Sequence, residues 1–295
     1  MNLNIMARKN PSSLLTSTKK KYDQLAKLCS KNITRTYSTS FSLGIQFIDQ
    51  ALRQPIHNIY GFVRIADEIV DSFGDYDRSL LLAEFKHDCF KAIDRGISTN
   101  PALHAFQDTV NTYSIDHELI HLFLASMEMD LSPVKFGQTQ YQEYILGSAQ
   151  VVGLMCLHVF VKGDKMAYER LKFPAMQLGS AFQKVNFLRD LGADYLHLGR
   201  SYFPSIDPSQ FSASDKLNIE KEISAEFSQA LSGIRQLPKS SGKGVYLAYT
   251  YYQQLFRKIQ KRNPNQVLSN RSRISNWAKL GFMMKAQLRY ALNKL

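Results

Sequence analysis

The sequence predicts an all-α protein, on three observations. Apolar residues recur with helical spacing from Tyr22 onward, no convincing run alternates as a strand does, and the periodic stretches are separated by short polar or glycine-containing turns. No glycine-rich phosphate loop and no internal repeat of fixed period breaks the pattern. With 295 residues, 44% apolar and 21% charged, the chain has soluble globular composition and can bury a sizeable core.

Residues 1 to about 18 are polar and end in TSTKKK, so a mobile N-terminal tail is expected, with the folded domain spanning 19–295. From Tyr22, the spacing of Leu25, Leu28, Cys29 and Ile33 predicts a helix that runs into Tyr37-Ser-Thr-Ser-Phe-Ser-Leu-Gly44. Consecutive hydroxyl residues and a glycine weaken a helix, so a kink or break is expected there, with hydroxyls available to a ligand. After Pro55, HNIYGFVRIADEIVDSFGD reads as a second helix stopped by Gly74. Tyr60, Arg64, Asp67 and Asp71 lie on one stripe of it. Two readings of Arg64 are open: a salt-bridge partner for Asp67, or a phosphate ligand.

Helical patterns continue through Ser79–Asp94, Pro101–Tyr113 and His117–Met129. The stretch Ile145–Val161 is 17 residues long and nearly uncharged, and reads as a buried core helix, with a single-pass anchor as the alternative. Its small residues Gly147, Ser148, Ala149 and Gly153 suit either close helix packing or room for a long apolar ligand.

The segment QKVNFLRDLGAD follows, in a region without proline between Pro174 and Pro204, and its helix is expected to end near Leu198. At about 100° per residue, Gln183, Asn186, Asp190 and Asp194 fall within an arc of about 80°. Carboxylates at i and i+4 repel, so this face is either solvated or a cradle for a hard cation. A loop through Pro204 and Pro208 leads to a helix opening at Ser214-Asp215. Two more helical stretches, Gly244–Gln260 and Ile274–Lys294, flank the basic loop NPNQVLSNRSRIS. Arg271 and Arg273 are a solvated pair or a clamp on diphosphate oxygens.

Charge is unevenly placed. Phe227 to Leu295 holds 13 Lys and Arg and no acid, so the +12 net charge is a C-terminal feature. Such an excess suits polyanionic ligands such as diphosphates, an anionic membrane surface or nucleic acid; no nucleic-acid motif accompanies it, and none is expected as a partner. Cys29, Cys89 and Cys156 lack metal-ligand spacing and indicate reduced thiols, and the N-terminus lacks a secretory signal pattern. A cytoplasmic location is expected.

Taken in order, YSTSFSLG, YGFVRIADEIVD, YILGSAQVVG, QKVNFLRDLGADYLHLGRSYFP and NRSRISNWAKL resemble the successive motifs of the head-to-head trans-isoprenyl diphosphate synthases, which comprise squalene, dehydrosqualene and phytoene synthases. The resemblance covers about Tyr22 to Leu295, and RDLGAD and GRSYFP are most similar to bacterial phytoene synthases. It implies a single-domain isoprenoid-synthase bundle around a central apolar cavity. By the same resemblance, Asp67, Asp71, Asp190 and Asp194 are Mg²⁺ ligands, with Asn186 in the metal shell and Mn²⁺ as an alternative ion. Arg64, Gln183, Asn186, Arg189, Tyr251 and Arg271 are implied to bind substrate; Tyr202 is implied to act in catalysis. Ser38, Ser40 and Phe41 would belong to a flap over the site.

The implied reaction joins two geranylgeranyl diphosphates head to head, through a cyclopropylcarbinyl diphosphate, to phytoene, without NADPH. Prenyl diphosphates are the expected partners, together with peripheral contact at the inner face of the membrane through the basic C-terminal section and Trp277, Leu280, Phe282, Met283 and Met284. Squalene or dehydrosqualene synthesis from farnesyl diphosphate is the nearest alternative, and a non-catalytic assembly factor a more distant one. The chain departs from the family pattern at Leu146, where many relatives carry tyrosine, at Ala149-Gln150-Val151-Val152-Gly153, and in a segment from Asp194 to Tyr202 one residue longer than usual.

Overall fold

The computed structural model describes residues 11–132, 136–198, 202–204, 206–272, 274, 281–282, 286–290 and 292. Among them there is no strand. The long helices are α1 (Pro11–Tyr37), α2 (Thr39–Ile45), α3 (Gln50–Ser72), α4 (Arg78–Arg95), α5 (Pro101–Tyr113) and α6 (His117–Met129). They are followed by α7 (Gln138–Ile145), α8 (Val151–Phe160), α9 (Lys165–Leu198), α10 (Ala213–Ile234), α11 (Lys239–Gln260) and α12 (Pro264–Ser269).

The expected break after Tyr37 falls at Ser38, which leaves the helix with φ −144° and ψ 102° and accepts a hydrogen bond from the Phe41 amide at 3.2 Å. Asn100 caps α5 in the same way with Pro101 in its first turn, and Asp116 caps α6; both helices span the expected residues. Other boundaries differ. Helix α1 starts at Pro11, inside the stretch expected to be a tail, whereas residues 1–10 lie outside the described residues. Helices α3 and α9 run through Pro55 and Pro174 instead of starting after them. A proline keeps the helical φ and gives up one hydrogen bond, a loss that tertiary packing can outweigh. At Pro174 that packing is visible, because a Cβ at Gly233 of α10 would fall 2.3 Å from the Pro174 Cβ. The basic loop expected after α11 contains α12, opened by a reciprocal cap between Asn263 and Gln266.

The apolar stretch is a helix with a π turn at Leu146–Gln150 between α7 and α8. That turn lets two neighbours approach at once. A Cβ at Gly147 would meet the Leu122 carbonyl oxygen of α6 at 2.5 Å, and one at Gly179 of α9 would meet the Ala149 carbonyl oxygen at 2.6 Å. Gln138–Phe160 is long and apolar enough to cross a membrane, but 56% of its most apolar window is buried, against α3, α6 and α9. It is the core helix of the fold.

Two apolar cores result. The first joins α3, α4, α5, α6 and α8, with Phe62 stacked on Phe106 at 4.0 Å. The second joins α7, α9, α10, α11 and α12. Half-buried apolar residues pack against these cores: Val63 on α3, Val152 and Cys156 on α8 and Met176 on α9 against the first, Phe182 on α9 and Val245 on α11 against the second. Burial pushes the Cys156 thiol up to about 12.

Candidate active site

On α3, the Arg64 guanidinium lies 4.3 Å from the centre of the Tyr37 ring and forms ion pairs with Asp67 and Glu68. Burial alone would lower the pKa of Arg64, but the two acids raise it, so the guanidinium stays charged. Its Nε is buried and has no hydrogen-bond partner in the protein. A buried donor aimed at nothing is costly unless a ligand accepts from it. One turn earlier, burial pushes the Tyr60 hydroxyl up to about 12, within the field of Arg64 and Asp67, and it is hydrogen-bonded to Ser38. Phe41 stacks on the Tyr60 ring with centroids 4.9 Å apart, so α2 is seated on the first acidic helix.

On α9, Gln183, Asn186, Arg189, Asp190 and Asp194 are all half-buried. Arg189 reaches back along its own helix to Asp190, with Nε to Oδ1 at 2.9 Å and Nη2 to Oδ2 at 2.5 Å. Arg271 arrives from beyond α12 and pairs with the same carboxylate, Nε to Oδ1 at 2.7 Å and Nη2 to Oδ2 at 3.0 Å. Asp190 therefore carries two guanidinium partners. Burial by itself would lower the Arg189 pKa, and its bond to Asp190 raises it.

Helix α11 connects the two acidic helices. The Tyr252 hydroxyl donates to Asn186 Oδ1 at 3.4 Å, and its ring stacks on Phe182 with centroids 3.9 Å apart. Tyr252 also acts electrostatically on Tyr60 of α3, as Arg189 and Asp190 act on Tyr252. The Arg64–Asp67 and Arg189–Asp190–Arg271 groups thus share one neighbourhood around Tyr60 and Tyr252.

Beside them, Tyr202 is 7% exposed and lies parallel to Phe187 with centroids 4.0 Å apart. Phe136 and Tyr144 complete this aromatic group. The Tyr144 hydroxyl donates to Asp130 Oδ2 at 2.7 Å; burial first, and Asp130 second, hold it well above the ordinary tyrosine range. Asp67 and Tyr202 are within electrostatic reach of Tyr144.

The donor set suits Mg²⁺. It is composed of oxygen atoms, and Asp71 sits one residue before the end of α3 with Asp194 one turn before the end of α9. Helix C-termini repel carboxylates, so a cation beside them reverses an unfavourable interaction. Among the described residues no three His, Cys, Asp or Glu side chains converge into a cage.

Of the sequence-derived site residues, Arg64 pairs with Asp67 on α3, and Arg189 and Arg271 pair with Asp190 on α9, while Asp71, Gln183 and Asp194 lie on the same two helices. Ser40 lies in α2, though its side chain is outside the described residues, as are Arg273, Trp277, Leu280, Met283 and Met284. Tyr251 stands edge-on to Tyr252 with centroids 5.6 Å apart, and it is Tyr252 that touches Asn186. Sequence reasoning missed the role of Tyr252 and the second acid on Arg64, Glu68. The i,i+4 spacing of Arg64 and Glu68 was a readable signal; adjacent tyrosines offered none.

Comparison with known proteins identifies the family. The squalene/phytoene synthase family matches residues 34–278. The chain is 28% identical to the phytoene synthase of Arthrospira platensis, over 89% of this chain and 92% of that one. It is 25% identical to the 4,4'-diapophytoene synthase of Staphylococcus haemolyticus, over 84% of this chain and 91% of that one. A crystal structure of a dehydrosqualene synthase in complex with ligand superposes with a TM-score of 0.79 at 18% identity, covering 92% of this chain and 99% of that one, a likeness of fold. With its helical bundle, its two acidic helices and a family match across most of its length, the chain belongs to the squalene/phytoene synthase family of prenyl transferases.

Proposed function

We propose that this protein condenses two geranylgeranyl diphosphates head to head to phytoene, in carotenoid biosynthesis, releasing diphosphate. The observation that supports this best is the pair of acid and arginine groups, Arg64–Asp67 on α3 and Arg189–Asp190–Arg271 on α9, linked through Tyr60 and Tyr252. Diphosphates match these charged groups, and prenyl chains match the half-buried apolar side chains of the bundle.

In this reading, Arg64, Arg189 and Arg271 orient the diphosphates, with Arg64 Nε as a donor ready for a phosphate oxygen. The carboxylates Asp67, Asp71, Asp190 and Asp194, with Asn186, would hold Mg²⁺, which when bound supplies Lewis-acid neutralisation of the departing diphosphate. These apolar side chains exclude water, which would otherwise trap the allylic cation as an alcohol. Attack by the double bond of the second substrate, with loss of a proton, gives a cyclopropylcarbinyl diphosphate; its ionisation releases the second diphosphate, rearrangement joins the C1 carbons, and loss of a second proton completes phytoene. Burial raises the Tyr60 hydroxyl further above the ordinary tyrosine range, so it remains protonated as a donor toward departing diphosphate, while Tyr252 holds Asn186.

Contact with a membrane surface through the basic C-terminal section, at the cytoplasmic face, follows from the lipid nature of substrate and product; flotation with anionic vesicles tests it, and absence of binding removes it. The likeness to a 4,4'-diapophytoene synthase supports farnesyl diphosphate as the second substrate choice. Purified protein is to be incubated with Mg²⁺ and either geranylgeranyl or farnesyl diphosphate, with and without NADPH, and the hydrocarbon identified. Phytoene without NADPH is expected; a 30-carbon product alone would overturn the chain-length assignment.

A further inference from the structure

We infer that Gly192 is a positioning residue: it seats α12 against α9 and so holds the Arg271 guanidinium on Asp190. The inference rests on the proposed role of Asp190 and Arg271 in handling diphosphate.

A Cβ built on Gly192 would lie 1.8 Å from the Leu268 carbonyl oxygen, 2.6 Å from its carbonyl carbon and 2.9 Å from its Cα. All three are backbone atoms of α12, so no rotamer change relieves the clash. A side chain there would have to displace α12 as a body by roughly 1.5 to 2 Å to restore ordinary contact near 3.5 Å. Gly192 lies inside α9, where glycine is less favourable than alanine, so its presence calls for a packing reason. The close approach of α12 provides it.

Arg271 follows Leu268 by three residues and is 48% exposed in its side chain, so burial does not set its place. Its position depends on the segment that carries it. That segment is fixed at its ends: Asn263 and Gln266 cap α12 reciprocally, Val267 is buried in the second core, and Arg262 donates to the Asn270 carbonyl. With α12 seated on Gly192, the two-point contact of Arg271 on Asp190 follows from the short connection. Moved outward, the guanidinium loses the geometry of a fork while keeping its charge.

The test is a double-mutant cycle on the full chain with wild type, Gly192→Ala, Arg271→Ala and the double variant. kcat and KM for geranylgeranyl diphosphate with Mg²⁺, affinity for inorganic diphosphate by calorimetry, and thermal unfolding are measured. A misplaced contact of this size is expected to lower kcat/KM for Gly192→Ala roughly 100-fold, with weaker diphosphate binding. In the Arg271→Ala background the glycine substitution should add no more than about twofold, because neighbours acting as one unit are non-additive.

Losses that multiply in the double variant, or wild-type kcat/KM and diphosphate affinity in Gly192→Ala, would overturn the inference. Should Gly192→Ala not fold, Arg262→Ala loosens the same segment from a half-buried position, and its loss must likewise vanish in the Arg271→Ala background. Absence of prenyl diphosphate turnover in the wild-type protein would remove the proposed function, while the diphosphate-affinity cycle would still decide the role of Gly192.

Discussion

Arg271 grips Asp190 at two points, Nε on Oδ1 at 2.7 Å and Nη2 on Oδ2 at 3.0 Å, across 81 residues of sequence. The contact ties the acid-free C-terminal section to the second acidic helix. A planar fork matches a carboxylate or a phosphate, whereas a lysine offers one compact charge. Arg271→Lys is therefore expected to lose about 10-fold in kcat/KM and Arg271→Ala about 100-fold, read by steady-state kinetics. A lysine variant at wild-type rate would show that charge alone suffices.

Asp67→Ala and Asp190→Ala each remove a carboxylate that pairs with arginine. Mg²⁺-dependent turnover should vanish in either variant while the far-ultraviolet circular dichroism stays helical. Unchanged activity in either purified variant would sink the metal assignment.

Tyr252→Phe deletes the hydroxyl that donates to Asn186 and leaves the ring stacked on Phe182. Loss of one neutral hydrogen bond of about 1 kcal/mol predicts a decrease of about fivefold in kcat/KM and little change in thermal stability. The matching Tyr251→Phe measurement is the control, and a larger loss there would reverse the assignment of the two tyrosines.

His57 on α3 is 6% exposed, its Nδ1 has no partner, and burial, with Lys31 and Arg35 adding to it, lowers its pKa to about 4. The unfolded chain takes up this proton near pH 6.5 and the folded protein only near 4, so the unfolded state binds more protons in between. The stability this contributes is fully present above pH 6.5 and is lost as pH falls toward 4, on the order of 3 kcal/mol in all. Urea unfolding at pH 7 and pH 4.5 should show a steeper loss in wild type than in His57→Leu. Equal slopes would contradict the buried neutral histidine.

Lys184 on α9 is 5% exposed and bridges Glu222 and Glu226 of α10, while Ser180 donates to Glu226 at 2.6 Å. Burial raises the Glu226 pKa against the pull of Lys184. Lys184→Met strands a buried carboxyl and should destabilise by about 3 kcal/mol, with part recovered in Lys184→Met/Glu226→Gln. Denaturant midpoints of wild type and the two variants measure this, and midpoints equal to wild type in both would remove the pair from the account of how α9 is held.

The helical class, the break at Ser38, the bounds of α5 and α6, and the acidic stripes on α3 and α9 were legible in the chain, because period, caps and i,i+4 spacing are local properties. Pro55 and Pro174 misled on helix starts, since whether a helix survives a proline depends on what packs around it. The segment containing α12 reads as a loop because six residues carry too little periodicity to register.

By itself, then, the sequence determined an all-α chain with two acidic helical faces and a basic end, since those follow from side-chain order along a helix. Only the tertiary structure decided that Tyr252 touches Asn186 and that Gly192 lets α12 bring Arg271 onto Asp190. Such contacts depend on distances between helices, which close packing of whole faces sets and no local pattern encodes.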